Sequence, residues 1–260
     1  MAKNPPFIAG NWKMHMTIPE AKNLATAIVK AAAELSEAEI VLAPPFTALS
    51  EVKKVLEDSS VQLAAQNLFW EEKGAFTGEV SAPLLKDAGC QYVIIGHSER
   101  RQYFGETDTG VNKKIQAALR SGISPVFCIG ETLAERESGK TMEIISRQIQ
   151  GGLEGIGAGD FKSIVIAYEP VWAIGTGKTA TPGQAEEVHS HIREELARRY
   201  GNEPAECAII LYGGSVKPAN SFALLSEKNI DGFLVGGASL EAESFIQITR
   251  EAIRACKEKK

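Results

Sequence analysis

Eight short apolar runs rich in β-branched residues punctuate this chain: Phe7 to Gly10, Ile40 to Ala43, Val61 to Ala65, Tyr92 to Gly96, Pro125 to Ile129, Ile164 to Tyr168, Ala208 to Tyr212 and Gly232 to Val235. Each is nearly continuous in apolar residues instead of alternating with polar ones. A strand of that pattern has protein on both faces, the condition of a parallel sheet covered by helices. The intervening segments supply the helices. Thr17-Ile18-Pro19-Glu20 combines a capping box with proline at the first helical position, and Leu24, Ala25, Ile28, Val29, Ala32 and Leu35 follow at helical spacing. Thr181-Pro182-Gly183-Gln184 repeats the device before a helix ending near Tyr200, and Phe245, Ile248, Ala252, Ile253 and Cys256 mark one face of the last helix.

Eight strands alternating with helices in 260 residues predict one α/β domain over residues 1–260, closed as a (β/α)8 barrel. An open doubly wound sheet is the rival, but no GxGxxG follows the first run, so dinucleotide chemistry loses its main support and no cofactor is expected. Gly151 to Gly159 (GGLEGIGAG) precedes the sixth run, on the amino-terminal face of such a barrel, and reads as a connection.

A net charge of −5 argues against a nucleic-acid or anionic-membrane surface, both of which need clustered positive charge. An anionic ligand must therefore be held locally. Cys90, Cys128, Cys207 and Cys256 form no CxxC pair and read as reduced, structural thiols. MAKNPPF lacks the basic start and apolar stretch of a signal peptide, and no apolar run approaches the roughly 20 residues that span a bilayer. A cytoplasmic location is the expectation. No set of His, Cys, Asp or Glu has zincin or finger spacing, so no metal is expected either.

In such barrels functional groups gather at the carboxyl ends of the strands. The first run exits at Asn11 and Lys13. A lysine is usually a solvated surface residue, but one flanked by Trp12 and Met14 beside a barrel mouth is placed to supply positive charge, with Asn11 donating a hydrogen bond beside it. The fourth run exits at His97, followed at once by Ser98-Glu99-Arg100-Arg101, a helical turn whose positive dipole end would face the ring and lower its pKa, keeping the imidazole neutral. The sixth exits at Glu169, where the apolar run Ile164 to Ala167 gives way to a Pro-started, Gly-rich loop, AYEPVWAIGTGKT over Ala167 to Thr179. Desolvation there would raise the proton affinity of the carboxylate, making it a base beside a lid. The bland reading is a carboxylate paired with Arg100 or Arg101. The last three exits lack bulk: Gly175 and Gly177 in the lid, Gly213-Gly214-Ser215, and Gly236-Gly237-Ala238-Ser239. Together they fit a phosphate cradle of backbone N–H groups, with the Ser215 hydroxyl and a short helix after Gly236. His189 and His191 are weaker candidates, expected on the outer side of their helix.

Asn11-Trp12-Lys13, Gly96 to Arg101, Ala167 to Thr179, Tyr212-Gly213-Gly214-Ser215 and Leu234-Val235-Gly236-Gly237-Ala238 closely resemble the triosephosphate isomerase family, from near residue 7 to near residue 255. The resemblance implies a single-domain TIM barrel in which Glu169 is the base, His97 a neutral hydrogen-bond donor, and Lys13 and Asn11 stabilise oxygen charge, with Glu99 in support. It implies that Pro170-Val171-Trp172 and Lys178-Thr179-Ala180 are hinges of a closing lid. Asn11, Lys13, Gly175, Ser215, Gly236 and Gly237 would bind the substrate, dihydroxyacetone phosphate or D-glyceraldehyde 3-phosphate. Gln66 to Glu79 (QNLFWEEKGAFTGE) is long for a βα connection and carries Phe69, Trp70 and Phe76 without helical spacing. Loop statistics leave a partner surface and self-packing equally open, and the resemblance implies the former, a homodimer in which Thr77 touches the partner's Asn11 and His97 region. His15 departs from the small polar residue common in the family. Two other functions fit a barrel: a Schiff-base aldolase, which needs a lysine within a strand, whereas Lys13 and Lys178 lie in loops, and a non-catalytic phosphosugar-binding barrel, which needs neither base nor lid.

Overall fold

Alternate residues of each apolar run face opposite ways, and both directions lead into a core. In the computed structural model, which describes residues 5–173 and 179–259, the inward set includes Phe7, Ala9, Val41, Ala43, Ala64, Ile94, Val126, Cys128, Val165, Ala167, Leu211 and Leu234, and fills the barrel interior. The outward set, with Ile8, Ile40, Leu42, Leu63, Ile95, Phe127, Ile166, Ile210 and Phe233, packs against the surrounding helices. Two buried faces account for the absence of alternation in the runs.

The strands are β1 (Phe7–Asn11), β2 (Glu39–Ala43), β3 (Gln62–Ala65), β4 (Tyr92–Ile95), β5 (Ser124–Ile129), β6 (Val165–Tyr168), β7 (Ile209–Tyr212) and β8 (Gly232–Val235). They follow one another in sequence order around a closed barrel. All neighbours are parallel, and β1 closes the ring by pairing Phe7 with Glu39 of β2 on one side and with Gly232 of β8 on the other. The (β/α)8 expectation holds, and strand limits shift by no more than one residue at either end. The first helix, Ile18–Ala32, begins at the expected capping box of Thr17 and Glu20, and Pro182–Tyr200 begins at that of Thr181 and Gln184. Among the described residues no helix is long and apolar enough to cross a membrane.

The His189 expectation is corrected. The side chain is fully buried, whereas His191 is partly exposed. Residues Ala185, Val188, His189, Ile192 and Leu196 form the inner stripe of their helix, so the three- and four-residue spacing carries His189 inward with its apolar neighbours.

Candidate active site

Asn11, Lys13, His97, Glu169, Ser215, Gly236 and Gly237 line one cavity of about 270 Å³ at the carboxyl ends of the strands, with Gly213 and Gly214 in the same wall. Residues from β1, β4, β6, β7 and β8 exits meet there, as parallel strands of one barrel require. Glu99 completes the cluster from behind Lys13. Gly175, Gly177 and Lys178 lie outside the described residues.

The chain reaches His97 through Gly96, whose φ of +74° belongs to the left-handed region; a Cβ there would also lie 3.0 Å from Val111 Cγ2 and 3.2 Å from the Cys128 carbonyl oxygen. His97 then caps the helix Ser98–Phe104, its Nδ1 accepting the Glu99 N–H at 3.2 Å. The expected helical turn is therefore present, and of its first amides that of Glu99 meets the ring while that of Ser98 meets Glu169. Nδ1 accepts only when it bears a lone pair, so the form satisfying both ring contacts carries one proton, on Nε2. That nitrogen lies 3.0 Å from Glu169 Oε1.

Glu169 is 2% exposed and its second oxygen accepts the Ser98 N–H at 2.9 Å. The arginine alternative is excluded for this arrangement, since Arg100 pairs with Glu106 at 2.5 Å and Arg101 with Asp108 at 2.6 Å. Burial alone would raise the proton affinity of Glu169, but the His97 contact, the Ser98 N–H and the Lys13 charge hold it below the ordinary 4.5. Burial alone would lower His97, but Glu169, helped by Glu99, holds it above the ordinary 6.5. Both directions oppose the expectations of a raised carboxylate and a lowered imidazole. The reason is the position of the carboxylate, which in this arrangement rests against His97 and Ser98. Burial is the largest single influence on each group, and these contacts together outweigh it.

Lys13 adopts a φ of +51°, uncommon for a residue with a side chain. Two hydrogen bonds hold this conformation: its N–H donates to Asn11 Oδ1 at 3.1 Å, and its carbonyl accepts Gln66 Nε2 at 2.8 Å. Its ammonium donates to Glu99 Oε1 at 2.6 Å and lies beside Gly236. Glu99 thus orients the cation while leaving it at the cavity wall. The glycine cradle has two physical origins. A Cβ on Gly213 would come within 2.9 Å of Glu169 Cγ, and one on Gly214 within 2.2 Å of the Tyr212 hydroxyl, so these two are required by close packing. At Gly237 a Cβ would meet nothing within 4 Å; the helical turn Gly237–Leu240 begins there instead, and its Gly237 and Ala238 line the cavity.

Three contributors were not legible as such. Ser98 acts through its backbone N–H, which no residue type reveals. Gln66, read as the start of the long third loop, also bonds the Ala43 carbonyl at 2.9 Å and so ties the β1, β2 and β3 exits together. Glu131, fully buried at the β5 exit, accepts Trp172 Nε1 at 2.9 Å, Arg136 at 3.0 Å and the Tyr168 hydroxyl at 3.1 Å on each oxygen. It fixes the segment immediately after Glu169.

In the third loop, the Phe69 ring lies tilted against Trp70, with centroids 4.3 Å apart, and against Phe76, 4.6 Å apart, forming an aromatic knot whose Phe76 remains 43% exposed. Met14 and the neighbouring His15 are exposed after β1, and Tyr103 and Phe104 are strongly exposed at the end of the helix Ser98–Phe104.

A family model described as triosephosphate isomerase matches residues 6–252. The chain is 57% identical to a triosephosphate isomerase of Geotalea uraniireducens over 94% of its own length and 98% of the relative. It is 56% identical to one of Moorella thermoacetica, covering 94% and 97%. Among solved structures it resembles triosephosphate isomerase from Bartonella henselae with a TM-score of 0.86 and 42% identity, covering 95% and 98% of the two chains.

Proposed function

The chain belongs to the triosephosphate isomerase family, and from that membership we infer that it interconverts dihydroxyacetone phosphate and D-glyceraldehyde 3-phosphate through an enediolate, in glycolysis and gluconeogenesis. The observation that carries the assignment of roles is the convergence of one carboxylate, one imidazole and one ammonium on a single cavity with a glycine-rich wall.

In this reading Glu169 takes a proton from one substrate carbon and returns it to the next. To do so it leaves Ser98 and His97, and its desolvated carboxylate then gains the proton affinity that those contacts had suppressed. His97, relieved of the adjacent carboxylate, is the neutral donor at Nε2 to the substrate oxygens. Lys13, oriented by Glu99, and Asn11 stabilise the developing negative charge. Gly214, Ser215, Gly236 and Gly237 offer backbone amides and a hydroxyl to the phosphate, while the Gly213 N–H is taken by the Tyr168 carbonyl at 2.7 Å; such a cradle lets a protein of net charge −5 hold a dianion. Gly175 is assigned to the same task. Closure of the segment after Glu169 excludes water and keeps the enediolate from losing phosphate.

The test is an assay coupled to consumption of the triose phosphate product, run on the wild type and Glu169→Gln. The variant should bind inorganic phosphate almost normally and lose about 10²–10⁴-fold in kcat, the range for a positioned base. An equal loss of binding and turnover would make Glu169 a structural carboxylate.

We also propose that the enzyme is a cytoplasmic homodimer. The third-loop knot, with Phe76 exposed, and the exposed Met14, Tyr103 and Phe104 supply apolar surface on both sides of such a contact.

A further inference from the structure

Lys217 lines the catalytic cavity beside Ser215 and Val216, in the wall that carries the glycine cradle. Its backbone is fixed from two sides. The Lys217 N–H donates to Asn220 Oδ1 at 2.8 Å and Asn220 Nδ2 donates to the Ser215 carbonyl at 3.0 Å, so one side chain clamps the loop from Ser215 to Lys217. Pro218 follows and favours the extended conformation that Lys217 adopts, with φ −138° and ψ 161°. The side chain is exposed, and among the described residues its ammonium enters no ion pair. The helix Pro218–Leu225, which begins at the next residue, has no acidic residue in its first turn.

The charges around the cavity give this lysine a task. Lys13 is matched by Glu99 at 2.6 Å and Glu169 lines the same cavity, so these three groups leave one net negative charge. A dianion approaching them is repelled. Backbone amides are dipoles, whose attraction falls off faster with distance than that of a whole charge, so the cradle holds phosphate only once it has arrived. Among the described residues Lys217 is the remaining lysine or arginine at the wall, and a whole charge at a cavity mouth acts during the approach.

We propose that Lys217 recruits the substrate phosphate to the cradle: its charge offsets the carboxylates of the cavity as the dianion enters, lowering KM without taking part in the proton transfers. The inference rests on the isomerase reading of the cavity and adds a binding residue to it. It also gives Asn220 a role, since that side chain holds the loop from which the lysine extends.

Lys217→Gln removes the charge and keeps most of the side-chain length. A unit charge about 8 Å from a dianion in water changes its affinity about fourfold at 0.01 M salt, where the Debye length is about 30 Å, and about twofold at 0.15 M, where it is about 8 Å. With glyceraldehyde 3-phosphate as substrate, kcat/KM of the variant should fall by about these factors at the two salt concentrations, through KM, and Lys217→Arg should restore it. Lys162, beside a cavity at the starts of β4, β5, β6 and β7, is the control. Lys162→Gln makes the same change in net charge at the opposite end of the barrel and should leave kcat/KM unaltered. A loss of equal size at both salt concentrations, a fall confined to kcat, an equal loss in Lys162→Gln, or no loss at all would overturn the proposal. NMR titration with inorganic phosphate at fixed ionic strength separates this outcome from the isomerase reading. The dissociation constant should rise by the same factors in Lys217→Gln whether or not the wild type turns over triose phosphate. An inactive wild type would overturn the isomerase reading, and an unchanged dissociation constant would overturn the role of Lys217.

Discussion

Glu131 is the point at which the segment carrying Glu169, the proposed base, can be perturbed without touching that residue. Its carboxylate is fully buried and three side chains converge on it: Tyr168 within the strand, Trp172 three residues after Glu169, and Arg136, whose guanidinium also lies 4.6 Å over the Trp172 ring. Glu131→Gln preserves shape, so no cavity forms. It replaces one acceptor oxygen by an amide NH2, itself a donor that faces donors, and it removes the charge from every contact. Hydrogen bonds to charged groups contribute about 1.5–3 kcal/mol and neutral ones about 0.5–1.5, so three partners lose about 1 kcal/mol each, or about 3 kcal/mol together. For a chain of this size that is a fall in Tm of roughly 6–12 °C. The assay is thermal unfolding by circular dichroism at one fixed protein concentration, because subunit association would otherwise shift the midpoint. Trp172→Phe should destabilise less, and the double variant should fall short of the sum of the two. A midpoint within about 2 °C of the wild type would show that the cluster is held by packing alone and refute the reasoning.

The barrel was readable because each strand is covered twice, which writes an unbroken apolar run into the sequence. The positions of Asn11, Lys13, His97 and Glu169 followed from the same fact, since strand exits are where a covered strand first meets solvent. What could not be read depended on three-dimensional partners. Desolvation predicts a raised Glu169 and the helical turn after His97 a lowered imidazole, and the resting contact between the two groups reverses both. Ser98 contributes an amide common to nearly every residue, and Gln66 reaches across two neighbouring strand exits. Glu131 resembles any other carboxylate near a capping box, here that of Thr132 and Glu135. His189 is different, because its spacing from Ala185, Val188, Ile192 and Leu196 was visible in the sequence and already placed it on the buried stripe. The polarity of histidine outweighed its periodicity in the reading, although a neutral imidazole with one hydrogen bond is compatible with a core.

Phe76→Glu places a charge on the exposed face of the third-loop knot and should shift sedimentation toward the monomer with loss of activity; a fully active monomer would remove the dimer proposal. The pH dependence of stability gives an independent view of the resting Glu169–His97 contact. Glu169 titrates below 4.5 in the folded protein, so its contribution is present above 4.5 and is lost as pH falls through the folded value. His97 titrates above 6.5, so its contribution is complete below 6.5 and is lost as pH rises through the folded value. The advantage of the wild type over Glu169→Gln in thermal unfolding should therefore be greatest between pH 4.5 and 6.5 and decline on either side. In the variant the same imidazole lacks its carboxylate, burial dominates, and its NMR titration should move down. A stability difference that is flat across this range would mean that the carboxylate does not rest against the ring in solution, and the proposed release of Glu169 toward substrate would lose its starting point.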